Sequence, residues 1–228
     1  MKTDYPPCHG ESRRLLVIAM KVSTRTLRKT GRPSSFNRDV VLERAMHTFW
    51  RYGYETTSIA DLTEAMGITP PSLYAAFGDK KRLFLEAMRL YAGSPETLQR
   101  GLDEARTAYD AARDMLLASA CAFTGETTPR GCLLASSTAS VSKDAIDVQE
   151  AVAEVRRDIL ARLALRINRD IKSGRLPEAI DAHALAALVI SVIQGMSVLA
   201  RDGLGREALE AMVYTALAAW PTSPLGDT

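Results

Sequence analysis

The chain is poor in the residues that carry most catalytic and metal chemistry. Its 228 residues hold three His and three Cys. His9, His47 and His183 fall on separate predicted elements. Cys8, Cys121 and Cys132 form no CxxC pair, and their odd number speaks against a zinc ribbon or a secreted disulfide framework, which points to a reducing cytosol. The sequence has no HExxH, GxSxG, P-loop or dinucleotide fingerprint. Glu150 and Glu154 share a helix face, but Arg157 beside them makes a surface ion-pair network the better reading. No enzyme, no metal and no cofactor are therefore expected. The apolar run near the start, Leu15 to Met20, is too short to span a bilayer. Although Arg13-Arg14 precede it as in a signal peptide, no small-x-small cleavage site follows. A cytoplasmic protein is expected, with Met20 as an alternative start of translation.

Strand signals are missing too: no apolar alternation persists over five residues, whereas helical spacing recurs nearly throughout. The chain reads as all-α. Val41, Leu42, Ala45, Met46, Phe49 and Trp50 form one stripe of an amphipathic helix that Gly53 stops as a left-handed residue. Ser58 and Asp61 spell a capping box for a short second helix closed by Gly67. Thr69 caps a third, with Pro70 and Pro71 in its first turn, where the missing N–H groups cost nothing. Gly78-Asp79 breaks that helix and caps a fourth through Tyr91. Further helices are predicted near 95–104, 107–123, 132–141, 144–173, 181–201 and 205–220.

Net charge is only +2, but it is unevenly spread. Residues 1–36 carry eight Lys/Arg against two Asp/Glu, residues 37–91 carry seven of each, and the remainder fourteen against eighteen. A basic arm ahead of a neutral head and an acidic body suggests a polyanion near the N-terminus. Three parts are expected: a flexible basic arm over 1–36, a three-helix head over 37–80, and a larger helical body over 81–228.

Two short helices around a glycine turn describe a helix-turn-helix. The order and spacing of Ala45, Phe49, Gly53-Tyr54, Thr57-Ser58, Asp61-Leu62, Ala65-Met66-Gly67-Ile68, Leu73-Tyr74, Phe77, Lys80 and Leu83 resemble the DNA-binding head of the TetR/AcrR family of bacterial transcriptional regulators. That resemblance implies phosphate contacts from Thr57, Ser58, Tyr74 and Lys80, with the Tyr74 ring closing the core of the head. It also implies base reading in the major groove from the third helix, through Thr69, Pro70, Ser72 and Ala75. The family's commoner pattern places a lysine-glycine pair at Pro70-Pro71 and a tyrosine or histidine at Ala75 and Ala76, so direct readout is expected to be weak here. Arg25, Arg28, Lys29 and Arg32 in the arm are candidates for an adjacent minor groove.

The same resemblance implies a homodimer on a pseudo-palindromic double-stranded operator, and a repressor released by a small-molecule effector. The body's last two helices are apolar on more than one face, which makes Leu188, Val192, Met196, Leu199, Leu209, Met212, Val213 and Leu217 the candidate dimer interface. Met88, Tyr91, Met115, Cys121, Phe123, Cys132 and Leu133 are the candidate lining of an apolar effector pocket. Cys121 and Cys132 flank one loop, leaving a thiol-oxidation sensor as an alternative, and an activator of the same fold is another.

Overall fold

The computed structural model describes residues 36–137, 142 and 145–221. Every regular element among them is a helix: α1 (Arg38–Tyr52), α2 (Ile59–Met66), α3 (Pro70–Phe77), α4 (Lys80–Ala92), α5 (Pro95–Glu104), α6 (Ala108–Phe123), α7 (Leu133–Ser136), α8 (Ile146–Lys172), α9 (Ala182–Arg201) and α10 (Arg206–Leu217). Where a helix was expected near 132–141, the described part is the single turn α7.

The chain divides into two compact units. The described residues up to Gly93, together with those of Cys132–Ala153, form a head unit; Ser94–Gly131 and the residues from Glu154 onward form a body unit. The boundary expected at residue 80 is thus displaced, because α4 belongs with the head. The cause is aromatic packing. Phe84 of α4 meets Phe49 of α1 edge-on at 5.2 Å, and Tyr91 meets Trp50 edge-on at 4.8 Å. Leu83, Phe84, Ala87, Met88 and Tyr91 make one buried face of α4, which packs on the predicted stripe of α1. The turn α7 buries Leu133 and Leu134 against α1 and α4 in the same unit.

Short-range chemistry sets the helix ends. Asn37 caps α1, the Ser58–Asp61 box caps α2, Asp79 caps α4 and Thr107 caps α6. Gly53 does adopt positive φ (88°), but its ψ of 170° lies outside the left-handed helical region. Gly67 is left-handed (φ 70°, ψ 34°); its N–H and that of Ile68 both reach the carbonyl of Thr63, which closes α2 tightly enough for α3 to begin three residues later.

The body unit is built differently. Helix α6 is buried along Ala108, Ala111, Ala112, Met115, Leu116 and Phe123, and its many alanines admit both α9 and α10. Helix α9 has the length and hydropathy of a membrane span, but Ala186, Val189, Ile193, Met196 and Ala200 are buried in the body, where α9 packs on α6 and α10. Inside this apolar unit lies a buried ionic cluster. Asp170 of α8 is 2% exposed and Arg166, one turn before it, 5%. The Asp170 carboxylate accepts from the Ala108 N–H at 2.6 Å, from Arg166 at 2.6 Å and from Arg175 at 2.8 Å. Arg166 also donates to the carbonyls of Leu102 (3.0 Å) and Ala105 (3.2 Å) at the end of α5. The pair therefore stitches the α5–α6 corner onto α8.

Burial pushes the Asp170 carboxyl up, but the N–H of Ala108 and the two arginines more than offset this and hold it below its ordinary value. Its stabilising effect is therefore present above the unfolded pKa and lost as pH falls through the lower folded one. Asp170→Ala strands a buried guanidinium and should cost about 3–5 kcal/mol at neutral pH. Urea unfolding followed by circular dichroism should show that deficit narrowing as pH falls below about 4.

Candidate nucleic-acid interface

Helices α2 and α3, eight residues each, pack on one another around the Gly67–Thr69 turn, and α2 also packs on α1. Leu62 and Met66 of α2 and Leu73 and Phe77 of α3 point into the head core. This leaves Thr69, Pro70, Pro71, Tyr74 and Ala75 on the outer face of α3, with Ser72 half-buried beside them. The four candidate base-reading residues therefore share one accessible surface. Thr69 does not use its hydroxyl as a cap; that oxygen lies 2.9 Å from the Ser72 hydroxyl. The two side chains hold each other, so each offers only its remaining hydrogen-bonding capacity to a base edge.

The candidate phosphate contacts separate into two groups. Ser58, Tyr74 and Lys80 reach the surface, whereas Thr57 is buried and donates its hydroxyl to the Gly53 carbonyl at 2.6 Å. Thr57 shapes the α1–α2 turn rather than presenting a donor outward. Ser58 accepts from the Asp61 N–H (3.1 Å) while its own hydroxyl and N–H donate to the Asp61 carboxylate (2.7 and 2.8 Å). Those hydrogen bonds keep Asp61 ionised by lowering its pKa. An anion at this helix start would consequently meet the remaining first-turn N–H groups and the helix dipole, not the serine proton. Tyr74 is 49% exposed, so its ring does not close the core; Leu73 and Phe77 do.

Lys80 is the most elaborately held of the set. Its Nζ donates to the Glu55 carbonyl at 3.4 Å and sits 4.6 Å from the centre of the Tyr54 ring. Burial lowers its pKa, although Glu55 and Asp61 pull the other way. Glu55 is itself fixed by the N–H and hydroxyl of Ser142 (3.0 and 2.8 Å), which lower its pKa. Sequence reasoning missed Glu55 because its partners lie 25 and 87 residues away, beyond any local pattern. The arm residues Arg25, Arg28, Lys29 and Arg32 lie outside the described residues.

The effector candidates do not fall in one unit. Met88, Tyr91, Cys132 and Leu133 are buried in the head unit, and Met115 and Phe123 in the body unit with half-buried Cys121. Cys121 and Cys132, the pair of the oxidation-sensor alternative, thus stand in different units. The interface candidates divide as well. Met196, Leu209, Val213 and Leu217 are buried inside the body unit, where α9 and α10 pack on α6; Leu188 and Leu199 are exposed, and Val192 and Met212 are intermediate. Helices apolar all round give no sequence sign of which stripe faces inward.

Two short helices around a glycine turn on a supporting helix, with an exposed outer face on the second member, have the form of a DNA-binding helix-turn-helix. The profile for "Bacterial regulatory proteins, tetR family" matches residues 41–87, and that for "Tetracyclin repressor-like, C-terminal domain" matches residues 98–214. The HTH-type transcriptional repressor ComR of Escherichia coli K12 is 35% identical over 207 residues, covering 87% of this chain and 96% of ComR. A second E. coli K12 repressor, BdcR, is 38% identical over 73 residues, 32% of this chain and 37% of BdcR. Among solved structures, a cysteine-substituted form of the TetR family transcriptional regulator CifR, complexed with 26-base-pair operator DNA, is 41% identical, with a TM-score of 0.79 over 84% of this chain and all of that one. This chain belongs to the TetR family and is a DNA-binding transcriptional regulator.

Lys80→Ala should weaken binding to all duplexes alike and reduce the slope of log affinity against log salt by about one unit. Fluorescence anisotropy over a salt series measures this. Ser72→Ala should instead shift base preference at one position of the half-site, read by sequencing the duplexes that each form selects from a random pool.

Proposed function

We propose that this protein is a homodimeric repressor that binds a pseudo-palindromic operator in the cytoplasm and is released from it by a small apolar effector, acting by binding and not by catalysis. The observation that carries the dimer is a second apolar stripe on α9. Ala186, Val189, Ile193, Met196 and Ala200 face the body core, while Leu188, Val192, Gly195 and Leu199 run at helical spacing along another side. Leu188 is 54% exposed, and Val198 (56%) and Tyr214 of α10 add apolar surface. Exposed apolar area of this extent stays in water only at a cost that a symmetric partner removes. A two-fold dimer also matches the two half-sites of a palindromic operator. Repression is supported by the names of the relatives ComR and BdcR, and operator binding by the CifR complex.

Genomic footprinting with the full chain tests the function, since it should return sites with two-fold symmetry. For the dimer, Leu188→Glu should halve the mass measured by size-exclusion chromatography with light scattering, and steepen the concentration dependence of operator binding. An unchanged mass would place the interface elsewhere.

A further inference from the structure

A guanidinium in the first turn of a helix opposes the helix dipole, yet Arg38 is the first residue of α1. Its contacts explain its place. One terminal nitrogen donates to both carboxylate oxygens of Glu86 on α4, at 2.9 and 2.7 Å, and to the Ala76 carbonyl in the last turn of α3 at 3.4 Å. The guanidinium carbon also stands 4.4 Å from the centre of the Phe77 ring, the final residue of α3. The last four carbonyls of any helix lack an intrahelical partner and carry the negative end of the dipole. Two turns further along α1, Arg44 donates to the carbonyl of Met66, the last residue of α2, at 3.3 Å. Neither α2 nor α3 has a basic residue in its own last turn. Helix α1 thus supplies, from outside, the C-terminal cation that each of the two short helices lacks.

We propose that Arg38 is a positioning residue for DNA recognition, fixing the end and axis of α3 through Ala76, Phe77 and Glu86 without itself contacting DNA, and that Arg44 does the same for α2. The outer face of α3 has few side-chain donors, two of which are engaged with each other. Readout by such a face depends on close fit, so a small change in the helix axis weakens specific contacts more than non-specific ones.

The test uses the full chain and two probes: the duplex that the unsubstituted protein selects from a random pool, and a scrambled duplex. Arg38→Met keeps the aliphatic stem and should weaken binding to the selected duplex about tenfold, with under twofold change on the scrambled one and an unchanged salt slope. Arg38→Lys restores the charge but not the planar group that spans Ala76, Glu86 and the Phe77 ring, so it should resemble Arg38→Met. Glu86→Gln, which leaves Arg38 in place, should shift affinity in the same pattern by a smaller factor. In its background, Arg38→Met should cost less than it does alone. A salt slope reduced by one unit, with Arg38→Lys near full affinity, would make Arg38 a phosphate contact and overturn the proposal. Unchanged affinity in Arg38→Met would reduce the cluster to a surface ion pair. Should Arg38→Met lose helical content by circular dichroism, Glu86→Gln carries the test alone, and no change in its selectivity overturns the proposal.

Discussion

A helix of eight residues does not hold itself together in water, because nucleation consumes most of what so few hydrogen bonds return. Both members of the DNA-binding pair have that length, so their conformation is imposed by what they rest on. Helix α1 carries that role. It buries Phe49 and Trp50 completely, and around them gather Tyr54, Phe84 and Tyr91, a concentration of aromatics in a chain where they are otherwise scarce. Large rings give the most buried area per residue, and a small head with little core needs it. The same packing explains why α4 belongs to the head: its Phe84 and Tyr91 complete the cluster that α1 begins.

The body unit solves the opposite problem. Its helices are long enough to be stable once packed, and its core is mostly alanine and aliphatic side chains around Phe123, with Tyr109 against Trp220 at 5.9 Å at the edge. Small side chains let α6 lie close to α9 and α10, but they carry little information about which corner goes where. The buried Arg166–Asp170 pair supplies it. Each of its hydrogen bonds has a single geometric partner, on the Leu102 and Ala105 carbonyls and the Ala108 N–H, so a displaced α5–α6 corner would strand buried charge. Specification of this kind costs desolvation that a purely apolar core avoids; here it is offset by hydrogen bonds on every side of the pair.

What was legible in the sequence was local. Ser58 and Asp61 stand one helical turn apart, Gly67 and Asp79 adjoin the helices they bound, and the structure places these helix ends where the sequence puts them. The stripe of α1 was legible for the same reason, since its period of 3.6 repeats within fifteen residues. Thr57 was misread because its pattern assigns it a position beside Ser58 but not a direction, and its hydroxyl turned inward to Gly53. Composition marks α9 and α10 as apolar on more than one face, but not which stripe meets α6. Arg38, Glu55, Arg166 and Asp170 were illegible, because each acts across tens of residues of chain and charged side chains are ordinarily solvated. Nothing in their neighbourhood marks them as exceptions.

The neutrality of the head acquires a physical meaning from these contacts. Seven positive charges in residues 37–91 are matched by seven negative ones, and several of the cations already have partners within the head: Arg38 on Glu86, Lys81 on Asp147, Arg82 on Asp79, Arg44 on a helix-end carbonyl. A head so compensated exerts little attraction on DNA beyond a Debye length of about 8–10 Å. Its own share of affinity has to come from groups already at contact distance, such as a helix start, the half-buried ammonium of Lys80 and the outer face of α3. Contacts of this kind are lost over fractions of an ångström, whereas a broad basic surface tolerates displacement. Charge pairing and accurate placement meet on α1: Arg38 and Arg44 spend their donors on the ends of α3 and α2, the helices that must be held where short-range contacts can form.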